Sequence, residues 1–200
     1  MRVFFDTEFT QFRDGQLLSA GFVADDGRTL YVEVDAPERR AAASDFCQLH
    51  VLSQFGLVPG SAVGSDADAG RRIADWLLGF DTSLDLYHDF KLDWMHVQQA
   101  VTAAGRWTAV EPRVRACNVA ADVDQPAALD AQEAYFAARS RPGRHHALVD
   151  THALRVRWRA AERLAAAADP DAPVVRRAQP ADARRLAGSR NTRSGMRSRP

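Results

Sequence analysis

The stretch Arg2-Val3-Phe4-Phe5-Asp6-Thr7-Glu8-Phe9-Thr10 decides how the chain is read. Three β-forming residues, Val3, Phe4 and Phe5, run straight into two acids one residue apart, with no turn signal between. Alternate side chains on a strand share a face, so an extended backbone aims Asp6 and Glu8 at one place. Two carboxylates side by side in a mostly buried strand repel each other and lose hydration. A divalent cation relieves both penalties, and oxygen donors suit Mg²⁺ or Mn²⁺. The plainer alternative is a strand that ends at Phe5, with both acids solvated in a loop.

Working outward, residues 11–15 are polar and turn-like, and residues 16–24 and 28–35 are β-rich on either side of Asp25-Asp26-Gly27. Asp-Gly between such runs is a hairpin signal, so the chain opens as a three-stranded meander. Residues 36–43 read as a loop. Ser44 is a candidate N-cap for a helix over 45–54, with Phe46, Leu49, Leu52 and Phe55 at near-helical spacing and Gly56 as its stop. Residues 56–65 are rich in Gly and Pro and read as loop. In residues 66–79, Ile73, Trp76, Leu77 and Phe80 form the stripe of a core-facing helix. Residues 83–88 alternate as a fourth strand, 92–104 are helical, and 114–120 supply a fifth strand. Further helices follow over 125–140, with Leu129, Glu133 and Phe136 on one side, and over 146–168. The expectation is an α/β domain on a mixed five-stranded sheet flanked by helices. It spans residues 1–168, followed by a basic extension, 169–200, expected to be disordered.

The formal net charge is zero, which argues against a uniformly basic nucleic-acid coat. The balance is uneven: residues 174–200 hold eight arginines and one acid, leaving the rest of the chain acidic by the same surplus. The two cysteines, Cys47 and Cys117, are far apart and lack metal-site spacing, which fits a reducing cytoplasm without structural zinc. No apolar run approaches a membrane span, and the N-terminus, acidic by residue 6, lacks a signal-type apolar region.

Two further acids stand where such a site could use them. Asp93 opens the helix after the fourth strand, and Asp150 lies in the first turn of the last helix. Acids there often serve only the helix macrodipole. Asp150 is preceded, however, by the phrase Gly143-Arg144-His145-His146-Ala147-Leu148-Val149, in which His145 sits before the helix and five residues ahead of the acid.

Phe5-Asp6-Thr7-Glu8, Asp89-x-x-Leu92-Asp93 and His145-x-Ala147-x-x-Asp150 together resemble the three motifs of the DEDDh exonucleases. These are the proofreading-exonuclease-like branch of the ribonuclease H-like superfamily. Phe9-Thr10, Leu18-Ser19-Ala20-Gly21 and Asp26-Gly27 look most like a small bacterial and phage group of single-domain 3′–5′ exoribonucleases. The likeness runs over residues 1 to about 160. It implies a ribonuclease H-like fold and two Mg²⁺ or Mn²⁺ ions held by Asp6, Glu8, Asp93 and Asp150, about 3.5–4 Å apart by analogy. It also implies His145 as general base and release of nucleoside 5′-monophosphates. Phe9 and Thr10 would contact the terminal nucleotide. The implied partner is nucleic acid with a single-stranded 3′ end, RNA favoured over DNA, and homodimers occur among similar exonucleases.

The sequence departs from the pattern in two places. Asp89 stands where the second motif commonly has Asn, which sets Asp89 against Asp93 as the ligand. Thr151 follows Asp150 where Ala is usual. Two rival classes remain. Asp6-Thr7-Glu8-Phe9-Thr10 is one methylene from the first motif of haloacid-dehalogenase-type phosphohydrolases. That class needs a downstream lysine and acidic pair, and Lys91 is the chain's only lysine. A non-catalytic nucleic-acid-binding module would use the arginine-rich extension alone.

Overall fold

The computed structural model describes residues 1–168; the expected basic extension, 169–200, lies outside the described residues. The opening stretch is extended to its end, as β1 (Arg2–Phe9). It pairs antiparallel with β2 (Leu17–Ala24), which pairs antiparallel with β3 (Thr29–Val34), forming the meander. Gly27, at φ +93°, takes the left-handed position of the β2–β3 turn. On the other side of β1, β5 (Leu84–His88) and β6 (Val114–Asn118) add in parallel. The sheet order is β4 (Ala62–Val63)-β3-β2-β1-β5-β6, and β1 is central. This mixed α/β arrangement is consistent with the expected ribonuclease H-like fold.

The sheet has six strands, not five. The extra one, β4 (Ala62–Val63), lies inside the expected 56–65 loop and pairs parallel with Glu33 and Val34 of β3. Two residues are too few for alternation to show; only the pairing creates the strand. The expected 36–43 loop instead contains the short helix α1 (Pro37–Ala42). Pro37 suits its first turn, and Arg39, buried, pins it by a two-pronged ion pair to Asp66 at 2.6 and 2.8 Å. The helix expected over 45–54 is α2 (Asp45–His50), capped by Ser44 Oγ on Cys47 N–H, followed by a 3₁₀ turn, Leu52–Gln54. Its core contacts are Cys47, Val51 and Leu52, so Phe46 and Leu49 of the expected stripe face solvent.

The remaining helices are α3 (Asp66–Leu78), α4 (Lys91–Ala103), α5 (Trp107–Val110), α6 (Ala120–Val123), α7 (Pro126–Ala137) and α8 (Ala147–Ala168). Alternation along β1 divides the core. Val3 and Phe5 join Ile73, Leu77 and Val101 of α3 and α4 on one face, whereas Phe4 packs with Leu154 and Trp158 of α8 on the other. Asp6 and Glu8 continue the α8 side. No helix among the described residues is long and apolar enough to cross a membrane.

Two glycines set how closely helices approach. A Cβ on Gly70 would lie 1.9 Å from Ala100 O, so α3 and α4 cross in direct backbone contact. A Cβ on Gly21 would lie 2.4 Å from Leu148 N, which allows the first turn of α8 to rest on β2. Gly21 is the partner of Asp6 in the β1–β2 register, so α8 touches down beside the first acid of the site.

Candidate metal centre

Each part of the centre arrives by a different local rule. Asp6 and Glu8 come from the period of β1, at the end of a strand whose preceding residues are fully buried. Asp93 comes from the first turn of α4, immediately after β5. Asp150 comes from the first turn of α8, fixed by the Gly21 contact and by Thr151. The Thr151 hydroxyl, fully buried, lies 2.9 Å from Gly21 O and 2.7 Å from Ala147 O. Thr in place of the usual Ala therefore docks the helix by a hydrogen bond rather than simply fitting the space.

The donor atoms gather in two groups. Glu8, His145 and Asp150 offer ligand atoms within 4.8 Å of one another, and Asp6, Asp89 and Asp93 do the same. All four expected carboxylates and His145 are thus brought together at the C-terminal end of the central strand β1. Asp89, set against Asp93 in the sequence, joins it. Asp93 is 1% exposed, and its Oδ1 accepts hydrogen bonds from Thr7 Oγ1 (2.8 Å) and Thr7 N (3.3 Å). Asp89 lies in the cleft and faces Arg157 across 3.4 Å. The cleft, about 240 Å³, is lined by Asp6, Asp89, His145 and Asp150, with Glu133 and Phe136 of α7 as a wall. A larger hollow of about 410 Å³ lies across α7, with Arg139, Arg141, His146 and His152 but no carboxylate on its lining, so oxygen-donor chemistry belongs to the smaller cleft.

The electrostatics are those of buried acids crowded together. Burial, followed by the charges of Asp93, Asp150, Glu8 and Asp89, pushes Asp6 well above the usual carboxylate range. Burial and the neighbouring Asp150 and Asp93 do the same to Glu8. Burial is the largest cause again for Asp93 and Asp150, each pushed up to about 7 against the hydrogen bonds they accept. Asp93 Oδ2 and Asp150 Oδ1 are buried with no hydrogen-bond partner. Buried carboxylate oxygens left unpaired, among several mutually repelling acids, fit a hard divalent cation.

His145 is shaped for a role outside the helix. Its φ of +66° is left-handed, a conformation a non-glycine residue adopts at a cost of about 1–2 kcal/mol. The turn lets its N–H donate to Asp150 Oδ2 at 3.0 Å and brings its Nδ1 to 3.9 Å from Glu8 Oε1. Burial, then the charges of His50 and Arg144, hold its pKa below the ordinary 6.5, which keeps the ring neutral. His146 goes elsewhere. It is 1% exposed and stacked on Tyr31 at 4.2 Å, and burial lowers its pKa to about 4. His152 lines the larger hollow.

The two expected substrate contacts differ. Phe9 stays at the rim, stacked on His96 at 4.9 Å. Thr10 is 1% exposed, and its Oγ1 accepts from Gln16 N at 3.0 Å, so its hydroxyl closes the 10–16 loop and is not presented to a ligand. Two residues went unread in the sequence: Thr7, which holds Asp93, and Asp89 as a companion to Asp93. The only available signal for Asp89 was an acid where the pattern has an amide. No family model matches the chain, and no curated protein matches it.

Proposed function

We propose that this chain is a metal-dependent 3′–5′ exonuclease of single-stranded nucleic acid, with RNA favoured over DNA through the DEDDh resemblance. The observation that supports it is the meeting of Asp6, Glu8, Asp89, Asp93, His145 and Asp150, from three distant segments, in two triads of ligand atoms. Glu8 and Asp150 would hold one cation and Asp6, Asp89 and Asp93 the other. Bound divalent cations supply Lewis-acid polarisation of the phosphate and of the attacking water. The protein's own groups do the rest. His145, neutral and hung over Glu8, takes the proton from that water as its oxygen bonds to phosphorus. The phosphorus–O3′ bond breaks, the departing 3′ oxygen takes a proton from solvent to become the 3′-hydroxyl of the shortened strand, a nucleoside 5′-monophosphate departs, and His145 returns its proton to solvent. Thr7 fixes Asp93, and the His145 N–H fixes Asp150, so neither carboxylate has to be ordered when cation and substrate arrive.

The test is incubation with 5′-labelled RNA and DNA oligonucleotides in Mg²⁺ or Mn²⁺. A descending ladder that disappears in EDTA supports the reading, whereas cleavage that survives EDTA, or salt-sensitive binding without cleavage, contradicts it.

A further inference from the structure

The larger hollow, about 410 Å³, shares no lining residue with the acid cleft. Its volume falls within the range of small-molecule sites, about 300–1,000 Å³. Arg139 and Arg141, on the segment that joins α7 to α8, both line it. Arg139 lies over the Tyr135 ring at 3.9 Å, and Arg141 donates to Ser53 O at 2.7 Å. A guanidinium has donors to spare beyond such contacts. Neither of the two is paired with a carboxylate among the described residues. Arg144 and Arg157, on the side of the cleft, are paired with Glu133 and Asp89.

His146 is the most buried residue of the lining, 1% exposed, and neither of its ring nitrogens has a hydrogen-bond partner. The Tyr135 hydroxyl, on the same lining, is also buried without a partner. Buried polar atoms are nearly always paired, so these mark where the polar groups of a ligand fit. The unpaired guanidinium forks call for an anion, and their planar geometry matches phosphate. Phosphate by itself does not complete the site. Burial keeps His146 neutral, and a neutral imidazole has one N–H and one bare nitrogen. The bare nitrogen needs a donor, which an ionised phosphate lacks and a sugar hydroxyl or base N–H supplies. Val58, Pro142, Leu148 and Val149 give the hollow an apolar wall suited to a flat body.

We propose that this hollow is a binding site for a nucleoside monophosphate, with the phosphate on Arg139 and Arg141 and the nucleoside against His146 and the apolar wall. The site is separate from the acid centre and needs no cation. The product of the reaction proposed above belongs to the same chemical class, but the hollow stands on its own residues and on no step of that reaction.

The test is calorimetric titration in EDTA, which leaves the acid centre no cation with which to hold a phosphate. The probes are uridine 5′-monophosphate and its fragments uridine, ribose 5-phosphate and inorganic phosphate. Wild type should bind one equivalent of the mononucleotide, more tightly than any fragment. Arg139→Gln/Arg141→Gln should raise its Kd at least about 10-fold, whereas Asp6→Asn, in the acid centre, should leave it unchanged. His146→Phe keeps a ring against Tyr31 but removes both nitrogens, so it should narrow the preference for the mononucleotide over inorganic phosphate. The arginine variant changes exposed residues only, so the test holds even where His146→Phe fails to fold. No binding of the mononucleotide, a Kd untouched in the arginine variant, loss of binding in Asp6→Asn, or any fragment bound as tightly as the whole would overturn the proposal.

Discussion

Asp150→Asn should make the metal-free protein more stable, although it removes a residue at the heart of the proposed centre. Asp150 Oδ2 accepts the His145 N–H, and an amide oxygen can accept that bond equally well. Oδ1 is buried without a partner beside Glu8, and an NH₂ there can donate to the Glu8 carboxylate. The folded pKa of Asp150 is about 7, raised first by burial, against an ordinary value of 3.8. Because the folded value is the higher one, ionisation costs nothing below 3.8, a growing amount between the two, and its full amount above 7. At about 1.4 kcal/mol per pH unit that interval sets a ceiling of about 4 kcal/mol. Glu8 and Asp6 share the repulsion, so the neutral side chain recovers about 1–3 kcal/mol. Urea unfolding in EDTA at about pH 7.5 and about pH 5 reads this out, with the gain shrinking at the lower pH. The difference between variant and wild type is the quantity to use, since the buried histidines His88, His96 and His146 have lowered pKa values and destabilise the fold in the opposite sense as pH falls. Added Mn²⁺ should stabilise the wild type far more than the variant. A variant less stable than wild type in EDTA at about pH 7.5 would refute the argument, because the carboxylate would then be a paired structural group.

Three other expectations follow from the geometry. Gly21→Ala sets a Cβ against the Leu148 backbone and should cost about 1–3 kcal/mol while weakening Mn²⁺ binding; unchanged metal affinity in calorimetry would show that the α8 docking does not position Asp150. Asp93→Asn and Asp89→Asn should both lower metal affinity, and a variant at either position that binds Mn²⁺ as the wild type does removes that residue from the triad. His145→Ala should slow turnover about 10²–10⁴-fold and flatten the acid limb of the rate profile, which in the wild type climbs below pH 6.5 as the ring loses its proton. Near-normal turnover, or an equal loss from His152→Ala, would move the general base elsewhere.

How much of this was legible depends on how local each cause is. The period of two in β1 declared Asp6 and Glu8, and the turn before α8 declared His145 and Asp150, because both depend on neighbours within a few residues. α1 was illegible because its anchor is the ion pair from Arg39 to Asp66, far along the chain. β4 exists only through its pairing with β3. Phe46 and Leu49 sat at helical spacing, but α2 ends at His50, and packing chose Cys47, Val51 and Leu52 for the core instead. Thr10 stood beside the acids in sequence, yet the loop closure to Gln16 took its hydroxyl. Asp89 and Asp93 looked like competitors on the chain; the turn from β5 into α4 makes them neighbours of the same Asp6.

The most direct measurement is the release of nucleoside 5′-monophosphate from a single-stranded oligonucleotide in Mn²⁺. Wild type is compared with Glu8→Gln purified in the same way, and products are separated by chromatography. Glu8 sits in one triad with His145 and Asp150, so neutralising it strikes the cation site and the neighbour of the base together. The account predicts steady release of 5′-monophosphates by the wild type, none in EDTA, and loss of most of that activity in a Glu8→Gln protein that remains folded. Equal release by the two proteins, or none by the wild type on either RNA or DNA, would contradict it.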